Sequence, residues 1–373
     1  MASGIDVTFL RDTAHFAEDK DQPEHTAAML AEFIGGAKQT LDVAIYDLKL
    51  TEDRSAKVVD AFKQAAGRGV TIRIGYDADK PAEQTTAAFA ALGADPAPPG
   101  TEVWLKANLK DVAGITFKPI ISPGQHLMHS KYVVRDIDGE HPALWMGSAN
   151  FTDGAWTRQE NNIVRFASSA VAQAYHADFE EMWEEGKITG TGKGAGGTTV
   201  GGVTVGWEFS PAGGKAIDAH LAATIAKATG KVRISSMVIT SGAVLSALKA
   251  AIGRNVVVDG VYDGGEMQGV EKDWRKAIEE KGSETSKAKL AAFQEIKTHL
   301  KQKPSAGYTE DGPHDFMHNK VLVADEQLVV TGSYNFSENA EGNAENQLTI
   351  EDAGIAKSYA DYIATLIAKY PSP

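Results

Sequence analysis

Two stretches of the 373-residue chain carry the same polar residues at nearly the same spacing. Residues 129–161 read HSKYVVRDIDGEHPALWMGSANFTDGAWTRQEN, and residues 318–346 read HNKVLVADEQLVVTGSYNFSENAEGNAEN. Each begins with a histidine and a lysine two residues on (His129 and Lys131; His318 and Lys320), followed by an aspartate (Asp136; Asp325). A Gly-Ser-x-Asn turn comes next, with Ser148 and Asn150 in one copy and Ser333 and Asn335 in the other. Ten residues past each asparagine stands an acid, Glu160 or Glu345. Paired imidazoles and ammonium groups suit the hydrolysis of a phosphodiester. A neutral imidazole can attack phosphorus, and the covalent intermediate divides one hard step into two easier ones. A second, protonated imidazole can supply the leaving oxygen with a proton and later activate water, a contribution of roughly 10²–10⁴-fold. Histidine suits both tasks because its two protonation states coexist near neutral pH. One histidine cannot stand on both sides of one phosphorus, so two copies are needed.

Lys131 and Lys320 provide fixed positive charge for the non-bridging oxygens. Asn150 and Asn335 add amide donors to the phosphate, and Ser148 and Ser333 are supporting donors or turn residues. Glu160 and Glu345 are expected to bond a histidine ring nitrogen, holding its tautomer and stabilising the imidazolium. Asp136 and Asp325 lie away from the reacting face, which points to structural ion pairing.

These groups need strands behind them. Leu127–Arg135 alternates, so a strand there turns His129 and Lys131 the same way, roughly 7 Å apart. Asp138-Gly139 makes a turn and Ala143–Met146 returns as a second strand. The first copy has four more residues between aspartate and glycine than the second, and they fall at this turn, where an insertion leaves strand register intact. Upstream, Val7–Leu10, Leu41–Leu48 and Val70–Tyr76 read as strands, and Glu24–Ala37 and Asp53–Arg68 as helices, the second stopped by Gly69. A helix is expected at Gln84–Leu92, a strand at Glu102–Lys106 and a helix at Ala170–Glu185. After a Gly- and Thr-rich run the order repeats. Strands are expected at Trp207–Ser210, Val232–Ile239 and Val256–Tyr262, and helices at Lys215–Thr229 and Ala243–Ile252. The segments VTIRIGYD and VVVDGVYD both end in Tyr-Asp, at Tyr76-Asp77 and Tyr262-Asp263. Residues 270–302 add charged helical sequence, either a solvated surface pair or a lid. The alternation of strands and helices is that of an α/β protein. The expected organisation is a first domain over 1–186, a linker over 187–204 with little to pack, and a second domain over 205–373. The linker's GTGKG lacks both the Ser/Thr after lysine and the opening glycine of a phosphate loop.

At these motifs the chain resembles the phospholipase D superfamily, whose signature is His-x-Lys-x4-Asp followed by Gly-Ser-x-Asn. His129-Ser130-Lys131 with Asp136 and Gly147-Ser148-Ala149-Asn150 match it, as do His318-Asn319-Lys320 with Asp325 and Gly332-Ser333-Tyr334-Asn335. The resemblance implies two tandem α/β/α sandwich domains about a pseudo-two-fold axis, with one shared site at their interface. It implies His129 as the nucleophile that forms a phosphohistidine and His318 as general acid, although the near-identity of the motifs leaves the reverse order open. It requires no cofactor.

Composition bounds the substrate. The net charge is −13 and the pI near 5.3, which argues against a broad nucleic-acid footprint. That charge, with apolar Leu127, Met128, Phe316 and Met317 beside the histidines, favours a phospholipid substrate. The alternative is an endonuclease acting on DNA or RNA; a non-catalytic scaffold would be expected to have lost a histidine or lysine, and none is lost. The pairs His126/His129 and His314/His318 sit on strand or loop without a carboxylate-rich ligand set, so the chemistry is expected to be metal-independent. Trp145, Trp156, Phe151, Tyr334 and Phe336 flank the motifs mainly as core. There is no cysteine, hence no disulfide or thiolate chemistry. No apolar run approaches the ~18 residues of a membrane span. The sequence as given opens without a signal peptide; removal of one would make the protein secreted or periplasmic, so localisation is open. Both motifs in one chain predict a monomer.

Overall fold

The computed structural model describes residues 4–78, 100–309 and 312–373. The helix expected at Gln84–Leu92 lies outside these. The first half contains β1 (Ile5–Leu10), β2 (Thr40–Ile45), β3 (Leu48–Lys49), β4 (Thr71–Asp77), β5 (Ile115–Ile120), β6 (Lys131–Arg135), β7 (Ala143–Gly147), β8 (Phe151–Thr152) and β9 (Asn161–Phe166). The second contains β10 (Gly196–Val200), β11 (Val203–Ser210), β12 (Lys231–Ser236), β13 (Val257–Asp263), β14 (Lys301–Lys303), β15 (Lys320–Ala324), β16 (Leu328–Gly332) and β17 (Glu345–Glu351). One sheet runs β1-β9-β7-β6-β2-β4-β5 and the other β10-β11-β17-β16-β15-β12-β13-β14. From β11 onward the second sheet repeats the first strand for strand, and β10 is an added edge. In each sheet the last three strands are parallel and the others antiparallel.

Apolar faces decide the layering. Helices α1 (Gln22–Gly35), α2 (Glu52–Gly67), α3 (Thr101–Leu109) and the short α4 (Asp153–Thr157) bury Leu30, Phe33, Phe62, Trp104 and Trp156 in an outer core of the first half. The long helix α5 (Ser169–Glu185) faces inward. In the second half α6 (Gly214–Lys227), α7 (Gly242–Gly253), α8 (Gly264–Lys281) and α9 (Glu284–Ile296) enclose the matching outer core, and α10 (Ala353–Lys369) faces inward. Between the two sheets α5 and α10 build a third core that both halves share, with Tyr132, Tyr175 and Phe179 beside Phe209, Tyr359 and Tyr362. The architecture is two α/β/α units about a pseudo-two-fold axis.

Three expectations change, and the charged helical stretch gains a place in the fold. Glu102–Lys106 is not a strand but lies inside α3, where Trp104, Leu105 and Leu109 are buried and Val103 is 68% exposed. The strand is β5, with Pro119 on a sheet edge, where a missing N–H is tolerated. Leu41–Leu48 breaks at Tyr46, which leaves β2 to approach the site. The Gly-rich run is not merely a linker: Gly196–Val200 pairs antiparallel with β11 over five residues. Residues 270–302 are mostly α8 and α9, the crossover that two parallel strands require, here β13 and β14. Ala292, Phe293 and Ile296 of α9 are buried in the outer core.

Candidate active site

Each histidine stands two residues ahead of β6 or β15, so the strand expected over Leu127–Arg135 begins only at Lys131. The preceding residue is pinned from β4 or β13: Met128 N–H donates to Asp77 Oδ1 at 2.6 Å and Met317 N–H to Asp263 Oδ2 at 2.7 Å. Those aspartates end the duplicated Tyr-Asp segments, a signal visible in the sequence to which no role was attached. Burial pushes Asp263 up to about 6, against the hydrogen bonds it accepts. The two halves then clasp one another. His129 N–H donates to Ala344 O at 2.9 Å, Ala344 N–H to Leu127 O at 2.8 Å, and on the other side Glu160 N–H to Phe316 O at 3.3 Å. The clasp brings the imidazoles to 6.5 Å between ring centroids, inclined at 65°. Both rings and both lysines are buried.

The lysines fold back onto their own histidines: Lys131 Nζ donates to His129 O and Lys320 Nζ to His318 O, each at 2.6 Å. Lys131 also lies 4.8 Å from the centre of the Tyr46 ring, which meets the His129 ring edge-on at 4.8 Å. The matching residue in the second half is Met237, since Tyr46 N–H donates to Ser130 O as Met237 N–H does to Asn319 O.

Behind the rings the symmetry breaks. His129 Nδ1–H donates to Glu345 Oε2 at 2.8 Å, and Asn343 Nδ2 donates to the other carboxylate oxygen at 3.0 Å. His318 Nδ1–H donates instead to Asn161 Oδ1 at 3.0 Å. That oxygen also accepts the Ser148 hydroxyl at 2.8 Å, while Asn161 Nδ2 donates to Ala155 O and Gln159 Oε1, which settles the amide's orientation. The expectation that Glu160 bonds a histidine is therefore corrected. Glu160 accepts from Lys303 Nζ at 2.7 Å, from the Tyr370 hydroxyl and from Asp12 N–H. Counting from the asparagine of the Gly-Ser-x-Asn turn misled, because the first half has one extra residue before β9. Sheet pairing sets Gly147 opposite Ile163 and Gly332 opposite Gln347, so Asn161 corresponds to Glu345 and Glu160 to Ala344. Aligning QENN with NAEN on their last asparagine would have found it.

Burial, then Lys131 and Lys320, hold His129 well below its ordinary range. Burial, Lys320 and Lys131 do the same to His318. Without substrate both rings are held neutral, and the Asn161 carbonyl oxygen assigns the His318 proton to Nδ1. Burial raises Glu345 to about 7, opposed chiefly by Lys131 and the Asn343 hydrogen bond.

Asn150 and Asn335 are buried, and their side-chain oxygens find no hydrogen-bond partner among the described residues. They follow Gly147 (φ +146°) and Gly332 (φ +151°). A Cβ there would stand 2.1 Å from Asn162 O or 2.2 Å from Asn346 O, so only glycine fits. Ser148 and Ser333 accept the Asn162 and Asn346 N–H groups at 3.1 and 3.0 Å, and so belong to the frame of the site. Asp136 has a long ion pair with Arg135 Nε at 3.9 Å, but both aspartates act chiefly on backbone N–H groups. Asp136 accepts the N–H groups of Lys38, Gln39 and Thr40 ahead of β2, and Asp325 those of Thr229, Gly230 and Lys231 ahead of β12. Burial opposes the charge of Asp325, yet these backbone donors hold it below the usual carboxylate range. Leu127, Met128, Phe316 and Met317 are buried, the two methionines in the central core, so they do not form an exposed acyl-binding face. Trp145, Trp156, Phe151, Tyr334 and Phe336 are core residues as expected.

A family model described as "Cardiolipin synthase, PLD-like domain" matches the chain twice, over residues 30–183 and 221–367. The chain belongs to this phospholipase D-like family. The two matches correspond to the two repeats of the fold, each with its own histidine and lysine. Among curated relatives, the phospholipase D of Rickettsia bellii is 54% identical over 43 residues, 11% of this chain and 21% of that protein. The chain thus spans about a fifth of the length of that relative. Among solved structures, the phosphatidylserine synthase of Haemophilus influenzae Rd KW20 shares the fold with a TM-score of 0.62 at 14% identity, over 99% of this chain and 87% of that one. The polyphosphate kinase of Porphyromonas gingivalis gives a TM-score of 0.54 at 12% identity, over 96% of this chain and 50% of that one. No helix among the described residues is long and apolar enough to cross a membrane.

Proposed function

We propose that the protein is a phospholipase D-type phosphodiesterase that acts on a phospholipid through a phosphohistidine, with His129 as nucleophile and His318 as general acid and base. The observation that carries this is the unequal backing of two facing imidazoles, a carboxylate behind His129 and an amide behind His318. Glu345 increases the electron density at His129 Nε2 and balances the positive charge the ring acquires as it bonds phosphorus. Asn161 holds the His318 tautomer without adding charge, so a proton on that ring's Nε2 is given up readily. A bound phosphodiester offsets the lysine charges that depress His318, and the ring takes up its second proton. His129 Nε2 then forms an N–P bond as the P–O bond to the leaving group breaks, and the leaving oxygen takes the His318 proton. Water attacks next: it loses a proton to His318, the new P–O bond forms and the N–P bond breaks. Lys131, Lys320, Asn150 and Asn335 hold the non-bridging oxygens throughout.

A phospholipid is favoured by the net charge of −13, which repels a polyanion. The names of the phospholipase D relatives and of the phosphatidylserine synthase neighbour support the same class.

His129→Ala and His318→Ala should each lower turnover of bis-p-nitrophenyl phosphate by at least about 10²-fold, and acid-quenched wild type should carry substrate phosphate on histidine. Full activity in either variant would overturn the shared site. Parallel assays on phosphatidylcholine, cardiolipin and single- and double-stranded DNA decide the substrate; cleavage of DNA alone would refute the lipid assignment.

A further inference from the structure

One step from Asn161 the structure holds a buried charged cluster with no equivalent across the pseudo-two-fold axis among the described residues. Lys303, at the end of β14, is fully buried. Its ammonium donates to Glu160 Oε2 at 2.7 Å and Arg158 O at 2.6 Å, lies 3.1 Å from Asp12 Oδ2, and reaches Phe316 O at 3.4 Å. The Tyr370 hydroxyl donates to the second oxygen of Glu160. The cluster therefore draws on the segment after β1, the residue before β9, β14 and the end of α10, and so ties both halves together. Around His129 the same two positions are apolar. Asp77 pairs with Ile120 as Asp263 pairs with Lys303, which makes Ile120 the counterpart of Lys303, and Ala344 is the counterpart of Glu160.

Charges buried this deeply need good geometry and full hydrogen bonding to offset their desolvation. An isoleucine and an alanine serve at the mirror position without them. The His318 side, however, lacks the carboxylate that grips His129. His318 is held by a neutral amide whose own position depends on the chain at Glu160, and both the Glu160 N–H and the Lys303 ammonium converge on the carbonyl of Phe316, two residues before His318.

We infer that Glu160 and Lys303 are positioning residues that lock the Glu160–Asn161 segment against Phe316–His318 and so keep His318 in the tautomer and place from which it donates to the leaving group. The inference rests on the proposed two-histidine function but fails separately from it. Phenol is a poorer leaving group than p-nitrophenol and depends more on a donated proton, so diphenyl phosphate and bis-p-nitrophenyl phosphate report the acid differently. In the first turnover, Glu160→Gln should slow phenol release at least tenfold more than p-nitrophenol release, and Lys303→Arg should restore more of the wild-type ratio than Lys303→Met. Equal slowing of the two substrates, or none, in folded Glu160→Gln would overturn the inference. Nitrogen-15 signals of the His318 ring supply a second measure that needs no turnover: one Nδ1–H tautomer in the wild type and a mixture in Glu160→Gln is expected, and an unchanged single tautomer would also overturn it. Loss of p-nitrophenol release in His129→Ala addresses the two-histidine mechanism alone.

Discussion

Behind each of the two facing imidazoles stands one polar group, and behind His129 it is a buried carboxylate. Burial lifts Glu345 to about 7, above the ordinary glutamate value of about 4.3. The rate should therefore rise with pH through about 7 as the carboxylate forms and supports the His129 imidazolium. Stability should move the other way. A carboxyl that keeps its proton in the folded state is most favourable at low pH, and that advantage is lost as pH climbs from the unfolded value through about 7. Glu345→Gln should be slower on the order of 10²-fold, should lose the rising limb, and should lose less stability than wild type between about pH 5 and 8. Rate profiles and urea titrations across that range test both signs; a rising limb retained in Glu345→Gln would assign it to another group.

At the scale of elements, the site consists of strand ends and the turns that follow them. Each sheet delivers a histidine ahead of one strand, an asparagine after the next and a ring partner at the start of a third, and the Gly-Ser-x-Asn turn sets their spacing. Gly147 and Gly332 permit that turn because a neighbouring carbonyl fills the space of a Cβ. Gly332→Ala should cost about 1–3 kcal/mol from its backbone conformation alone and should displace Asn335, so urea unfolding and turnover should both fall. Wild-type stability in that variant would show that the carbonyl of Asn346 yields easily. Asp136 and Asp325 hold the opposite ends of the same strand pairs, binding the loops ahead of β2 and β12. Their constant place after the lysine follows from strand length, since they must reach the far end of β6 and β15.

Across the whole molecule the halves are joined more closely than a chain with a Gly-rich middle suggests. The ring partners cross the axis, the central core takes side chains from both sheets, and Asn162 bonds Asn319, Thr331 and Tyr359 of the other half. Such a structure should unfold as one unit. In a Trp207→Phe, Trp274→Phe variant the remaining tryptophans all lie before residue 187, so their fluorescence reports the first half and far-UV circular dichroism reports both. The two urea midpoints should coincide, and separated transitions would show independent halves.

Much of the protein was legible from residue types and spacing. The duplicated histidine, lysine and asparagine mark the phospholipase D-like class, and the repeat of strands and helices gives the α/β class. These properties are local, set by side-chain type and by period along a few consecutive residues. Tertiary structure alone decided what touches across the axis. Glu345 rather than Glu160 reaches a histidine because sheet pairing, not distance along the chain, fixes which residues face each other, and one extra residue before β9 shifts the count. The Gly-rich run becomes a strand because β11 offers it an open edge, a contact absent from its own composition. Lys303, which belongs to neither motif, reaches the chain ahead of His318 because β14 lies beside β13 in a parallel sheet.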